Sequence, residues 1–409
     1  MSLEGATRRL VHLWSQTLGP VQRVFFPRSP PEHPCPPPAP LEYANILGSI
    51  SEDPVLISEL SRLAASEDSS PSADLAIPVG YTVLDKLYVL LNERRTYPVQ
   101  NMIKGLLLRL IHGGHSQQLP SSLYLDGVEF HSMDDVIFSG SANIYRGSNA
   151  NGLLALKHLR SFTSATPTGD SVMDELAHEV IIWSHLDHPH IVPLLGVVRS
   201  EIEDHPGCFM VSPWMKEGSL SLYMEKLHGH QYPEFLKRAT GLLHHISQAI
   251  EYIHAHGVVH GDIRGANILI DGEDKAYLSD FGSATLVGVH NYRDIKRRKG
   301  NTRSCAPELH TSAEEPSFPC DVYSFAMLCI EVFLRRPLFE GWKEPTIIME
   351  IANRKRTPPI PRDTGHPMPK ELEALVDSCR QNCPSKRPTI SEVVERMRVI
   401  SEKSSNFDG

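Results

Sequence analysis

Three oxygen-bearing side chains fall close together between Leu242 and Gly282. Asp262 lies in the stretch HGDIRGANILI, Asn267 follows five residues later, and Asp280 opens an Asp-Phe-Gly triplet thirteen residues beyond Asn267. A carboxylate can accept the proton of a hydroxyl nucleophile. An amide and a second carboxylate are hard oxygen donors of the kind Mg²⁺ shares with phosphates. Phosphoryl transfer from a nucleotide is the chemistry that needs all three on one rigid platform. Either short motif alone is weak evidence; both at this spacing are strong.

The flanking pattern supplies that platform. Leu242, Ile246, Ala249, Ile250 and Ile253 form an apolar helical stripe that stops at Gly257, a residue suited to a left-handed C-cap. The apolar runs Ile268–Ile270 and Ala276–Leu278, separated by Asp271 and Gly272, read as a hairpin between the two sites. From Pro120 to about Met215 the texture is short β-branched and aromatic runs, and from there to Met397 long helical patterns alternate with short loops. A small β-rich piece followed by a larger helical one predicts an α+β, bilobal plan. No repeat period stands out.

Together these motifs make the chain resemble the eukaryotic protein kinases, specifically the tyrosine-kinase-like branch, with the HGD catalytic loop of fungal members. The resemblance covers residues 127–402, an N-lobe at 127–213 and a C-lobe at 214–402. It implies ATP and Mg²⁺ as cofactors and a protein hydroxyl, serine or threonine, as acceptor. Asp262 and Arg264 would be catalytic, and Asn267 and Asp280 would hold the metal. Leu154 to Lys157 match the strand whose lysine contacts the α and β phosphates. Its partner is expected on the next helix, which a capping box of Ser171 and Asp174 would start. Glu179 shares a face there with Val172, Leu176 and Trp183, and a carboxylate on a buried stripe needs a cation, so Glu179 is preferred over Glu175. The segment Cys208 to Met215 resembles the hinge, with Ser212 a small gatekeeper, Pro213 offering its carbonyl and Met215 both backbone groups to adenine. Ile144, Ala155 and Leu269 match the residues that sandwich the ring. Ala306 to Glu308, Asp321 and Arg387 match structural positions, with Glu308 and Arg387 expected to pair.

Several positions depart from the family pattern. With Ile144 at the valine position of the glycine-rich loop, its three glycines fall on Ile137, Ser139 and Ala142, and only Gly140 between them is glycine. Side chains there hinder close backbone approach to phosphate, which implies weaker nucleotide affinity or a loop held further off. Gly261 replaces the arginine that answers a phosphorylated activation loop, so control by that route is disfavoured. Arg264 stands in place of lysine, keeping the charge with a planar head. Asn301 and Ser304 occupy positions where relatives carry threonine and tryptophan. The basic residues Arg293 and Lys296 to Lys299 read as solvated loop charge, with recruitment of an acidic substrate or nuclear import as the functional alternatives. The glycine-poor loop keeps a pseudokinase scaffold as the main alternative to an active enzyme. A small-molecule phosphotransferase is a third, opposed by Glu308, Asp321 and Arg387.

Composition limits the remaining classes. The 409 residues carry 40 basic and 49 acidic side chains, net −9, which argues against a dedicated nucleic-acid or anionic-membrane binder. Seven cysteines without CxxC spacing read as thiols in a reducing compartment, and the 21 histidines show no zinc-type spacing. Neither a signal peptide nor an apolar run of membrane-spanning length is evident, so a cytoplasmic or nuclear location is expected. Residues 1–118 read as an N-terminal extension: a proline-dense linker from Pro27 to Pro40, then helices between Leu41 and about Gly113, broken by the polar stretch Ser66–Asp74, with apolar residues at helical spacing at Leu84, Leu87, Leu90 and Leu91 and at Ile103, Leu106, Leu107 and Leu110. That extension is expected to pack on the small lobe or to recruit a protein partner.

Overall fold

Alternation along the strands separates an apolar outer face from a cleft-facing one. Leu154 and Leu156 join Tyr145, Phe209 and Val211 in a small outer cluster, so Ala155 and Lys157 must point to the opposite side of the sheet. These positions are taken from a computed structural model that describes residues 81–91, 97–111, 118–131, 136–140, 142–160, 169–200, 207–289, 301–311, 315–352, 357–362 and 366–406. The tracts Pro27–Pro40, Ser66–Asp74 and Arg293–Lys299 lie outside the described residues.

Among the described residues, two helices, α1 (Tyr81–Leu91) and α2 (Tyr97–Leu110), precede the sheet. The strands are β1 (Glu129–Phe130), β2 (Ile137–Phe138), β3 (Ala142–Asn149), β4 (Gly152–Leu159), β5 (Gly196–Ser200) and β6 (Gly207–Pro213), with α3 (Gly169–Trp183) between β4 and β5. Their order is β1-β3-β4-β6-β5, with β2 also paired to β3. The second lobe begins with β7 (Gly218–Ser219), α4 (Leu220–Lys226) and α5 (Tyr232–Ala255), continues through β8 (Val258–Val259), β9 (Ile268–Ile270), β10 (Ala276–Leu278) and β11 (Thr285–Leu286), and closes with α6 (Glu308–Thr311), α7 (Phe318–Leu334), α8 (Glu344–Ala352), α9 (Lys370–Cys379) and α10 (Ile390–Ser405). The α+β bilobal plan expected from the sequence is the plan observed.

Local signals explain most boundaries. Helix α5 buries the expected stripe and ends ahead of Gly257, whose φ of 66° is the left-handed conformation that glycine adopts without a Cβ clash. Thr389 and Glu392 form a reciprocal capping box that starts α10, the helix packed along α5. The β9–β10 hairpin is present, but its connection is longer than an Asp-Gly turn. Asp271 accepts from the amides of Glu273 and Lys275, and Asp274 takes the positive φ. Helix α3 starts two residues earlier than the capping-box reading placed it, which puts Ser171 inside the first turn.

Helix α7 runs through the second lobe with Cys320 to Ile330 buried throughout. Asp321, in its first turn, accepts from the backbone amides of His260 at 2.8 Å and Gly261 at 2.9 Å and contacts His254 Nε2 at 2.9 Å. A carboxylate at a helix N-terminus is favoured by the macrodipole, and here it fixes the entry to the Asp262 loop. Arg387 meets Glu308 bidentately at 2.6 and 2.8 Å, tying the start of α6 to the loop before α10.

Helices α1 and α2 belong to the same continuous core as the rest of the described fold. Leu84, Leu87, Ile103, Leu106 and Leu107 share one cluster with Leu176, Ile181, Ile253 and Val258. Asp85 ties α1 to the chain entering the sheet, accepting from the Ser121 amide at 2.6 Å and its hydroxyl at 2.9 Å. One residue of α2 is costly where it sits: Lys104 is 1% exposed, and burial pulls its pKa from 10.5 down to about 8. A base with a lowered folded pKa contributes full stability only above its ordinary pKa, loses it as pH falls toward the folded value, and stays penalised below. Lys104→Met is therefore expected to raise unfolding free energy at neutral pH by about 2–3 kcal/mol. Urea denaturation should show the gain shrinking as pH approaches the ordinary lysine value.

Candidate active site

Strand β4, helix α3 and the segment after β10 each deliver one charged group to a single point. Lys157 Nζ lies 2.6 Å from Glu179 Oε1 and 2.8 Å from Asp280 Oδ1. Glu179 is fully buried, on the face shared with Leu176 and Trp183. Burial alone would lower the Lys157 pKa, but Asp280 and Glu179 outweigh it and hold the ammonium above its ordinary value. Burial likewise opposes the Asp280 carboxylate, and Lys157 outweighs it, holding that carboxyl below the usual range. Asp280 reaches the lysine from a left-handed backbone, φ 65° and ψ 76°, a conformation disfavoured for a non-glycine residue. Phe281 beside it is fully buried, with its ring 5.1 Å from His260 and 6.2 Å from Trp183 of α3.

The catalytic-loop candidates are fixed by their own backbone. Ser279 donates both its amide and its hydroxyl to the Asn267 carbonyl, each at 2.9 Å, so Asn267 and Asp280 are held next to one another. His260 Nε2 is 3.0 Å from the Ser279 carbonyl and its Nδ1 accepts from the Asp262 amide at 3.2 Å, an arrangement that requires the proton on Nε2. Around the Asp262 carboxylate, Oδ1 accepts from the Asn301 amide at 2.8 Å. Oδ2 accepts from Asn267 Nδ2 at 2.8 Å and Arg264 Nε at 3.2 Å. With its nitrogen committed to Asp262, Asn267 has its side-chain oxygen left to ligate. Asp280 likewise has Oδ2, since Oδ1 faces the lysine. Two hard oxygens of this kind fit a magnesium ion.

The other predicted residues sit as follows. Ile144 pairs across the sheet with Lys157, Ala155 with Ser212, and Leu154 with Pro213. Leu269 lies in the second lobe on β9, opposite Ser219 and Tyr277. The Trp214 amide is taken by the Leu153 carbonyl at 3.0 Å and the Met215 carbonyl by the Gly218 amide at 3.2 Å. Pro213 needs no donor in this register. At the position of the glycine-poor loop, β2 and β3 pair as an antiparallel hairpin. The Ser139 amide and hydroxyl donate to the Ala142 carbonyl at 2.9 and 3.1 Å, and the Ala142 amide donates back to Ser139 Oγ at 3.2 Å. Arg160, at the end of β4, donates to the carbonyls of Ser139 and Gly140. Arg264 Nη2 comes within 3.9 Å of where a Cβ on Gly140 would sit, so the turn lies down over the catalytic loop.

Two supports escaped the sequence reading. Glu331 of α7 accepts from the Gly265 amide at 3.1 Å and Ser221 Oγ at 3.0 Å, and burial raises its pKa. A Cβ on Gly265 would fall 2.6 Å from Ser221 Oγ and 2.7 Å from Glu331 Oε1, so this loop position requires glycine. An acid inside the apolar run of α7 was the available signal, because a buried carboxylate needs donors. The second support, Arg160, carried no local signal.

Residues 139–397 match the family described as protein kinase domain. Serine/threonine-protein kinase TNNI3K of Mus musculus is 28% identical over 305 residues, covering 71% of this chain and 34% of that protein. Serine/threonine/tyrosine-protein kinase HT1 of Arabidopsis thaliana is 28% identical over 262 residues, 64% of each chain. Mitogen-activated protein kinase kinase kinase ANP1 of Arabidopsis thaliana is 31% identical over 272 residues, 63% of this chain and 38% of its own length. In each case the matched region spans less than two thirds of the relative.

Glu179→Gln would leave Asp280 to hold the buried ammonium. It is expected to lower unfolding free energy by about 1–3 kcal/mol, with a smaller change for Glu175→Gln one turn earlier. Chemical denaturation of the two variants beside the wild type measures the difference.

Proposed function

The chain belongs to the protein kinase family, in its tyrosine-kinase-like branch, and from that premise we propose that it transfers the γ-phosphate of MgATP to serine or threonine hydroxyls of proteins. The observation that carries this reading is the charged cluster in which Lys157 meets both Glu179 and Asp280 while Asp262 is held by Asn267, Arg264 and Asn301. A scaffold without turnover has no need of a strained Asp280 or of a catalytic-loop carboxylate oriented through three donors.

Each residue then has one task. Lys157, kept protonated by its two carboxylates, meets the α and β phosphates, and Glu179 keeps it aimed. Ile144, Ala155 and Leu269 enclose the adenine, with the backbone of Pro213 and Met215 reading its edge. Asp262 receives the acceptor hydroxyl, orients it and takes its proton as the bond to phosphorus forms. Arg264, bridging from Asp262 toward the Gly140 turn, supplies positive charge where negative charge grows. Asn267 and Asp280 would hold magnesium, which when bound neutralises phosphate charge. The turn at Ser139–Ala142 covers the phosphates with a hairpin braced by Arg160 in place of a glycine cradle.

Labelled phosphate transfer from γ-labelled ATP to a generic protein substrate, followed by phosphoamino-acid analysis, tests the reading. Label is expected on serine or threonine, and Asp262→Asn is expected to lower kcat by about 100-fold or more. A variant with the wild-type rate would contradict the role of Asp262, and an inactive wild type that still binds MgATP would turn the reading toward a scaffold.

A further inference from the structure

Helix α2 lies ahead of the matched kinase region, which starts at residue 139, yet its surroundings leave no solvent-facing stripe. Val99, Asn101, Ile103, Lys104, Gly105, Leu106, Leu107, Leu108 and Leu110 are all buried. The other five residues are half-buried and none is exposed, so the helix is set into the core and not laid on a surface. Besides α1, its neighbours are the two elements that bring carboxylates to Lys157. On one side it packs against α3, which carries Glu179. On the other it meets the chain that leaves Asp280 through β11.

Three contacts define that second side. Asn101, 1% exposed, donates its Nδ2 to the Gly257 carbonyl at 3.0 Å and to the Val287 carbonyl at 3.4 Å. The Val287 amide donates to that same Gly257 carbonyl at 2.8 Å, so one side chain bridges the end of α5 and the segment after the Asp-Phe-Gly triplet. The approach is close enough to exclude side chains. A Cβ on Gly257 would lie 2.6 Å from Asn101 Nδ2, and one on Gly105 would lie 2.7 Å from Val289 Cγ1.

We propose that α2 is a built-in clamp, with Asn101 as a positioning residue. It sets α3 and the segment 285–289 in the one arrangement where Lys157 reaches Glu179 and Asp280 together. On this view the competent unit begins ahead of Tyr97, and a domain cut at residue 127 lacks the part that holds its ion pairs. The proposal rests on the phosphotransfer reading above for its effect on rate, while the clamp itself is a matter of structure and can be measured without turnover.

The test uses the full chain and three variants. Asn101→Leu keeps the shape of the side chain and removes its donor. Gly105→Ala favours the helix intrinsically but crowds Val289. Lys104→Met alters the stability of the same helix while touching neither contact, so it is expected to keep the wild-type rate. Asn101→Leu is expected to speed amide hydrogen exchange at Val287 and in α3, and to lower kcat about tenfold with KM for the protein substrate unchanged. Gly105→Ala is expected to do the same severalfold without lowering the melting temperature, and it carries the test if Asn101→Leu fails to fold. Wild-type exchange in both variants would overturn the clamp, as would losses that merely track melting temperature across all three. Exchange needs no catalysis, so a wild-type chain that transfers no phosphate removes the proposed activity and leaves the exchange difference to decide the clamp.

Discussion

One ammonium shared by two carboxylates organises this molecule. Lys157 lies on a strand, Glu179 on a helix and Asp280 on the loop after a hairpin, so the contacts at 2.6 and 2.8 Å exist only when all three elements are in register. Removing a single partner from a buried pair leaves charge without compensation, which is why such a cluster enforces geometry more than it adds net stability. The surrounding structure follows from that constraint. Asp280 accepts a left-handed backbone to reach the lysine, Phe281 fills the space beneath α3, and Ser279 ties the same segment to Asn267. Asp321 in turn fixes the backbone of His260 and Gly261 from the first turn of α7.

The turn between β2 and β3 is built in a different way from a glycine-rich loop. Glycines let backbone amides approach phosphate closely; here serine and alanine close a short hairpin by bonding to one another. Charge comes from arginines, with Arg160 bracing the turn from β4 and Arg264 approaching it from below. A guanidinium presents several donors in a fixed plane, which suits both a carbonyl pair and a phosphate. The loss of loop glycines is thus accompanied by a gain of positive charge close to the same place.

Legibility in the sequence followed the range of the interaction. The placement of Asp262, Asn267 and Asp280 together was readable because they lie in short local motifs, and that of Glu179 because helical periodicity places it on an apolar face. The C-cap at Gly257 and the β9–β10 strands were equally local. The turn between those strands was read too simply, since Asp271 and Asp274 do the capping and bending there. The start of α3 was misplaced by a serine that could cap but lies inside the helix. Arg160 and Asn101 bond to segments distant in the chain and nothing in their own neighbourhood announces the partner, whereas Glu331 stands out locally as an acid in an apolar run, with only its partners Gly265 and Ser221 hidden. The helices at 81–110 were visible as periodicity, but that α2 would touch both α3 and the Val287 segment is a tertiary fact.

Lys157, Asn267 and Asp280 are proposed to form one metal-dependent nucleotide site beneath a glycine-poor loop. Calorimetric titration of the full chain with ATP, with and without Mg²⁺, addresses it most directly. Binding that strengthens with the metal, and loses that gain in Asp280→Asn, is the predicted result. Binding of equal strength in the absence of metal, or unchanged in Asp280→Asn, would contradict it.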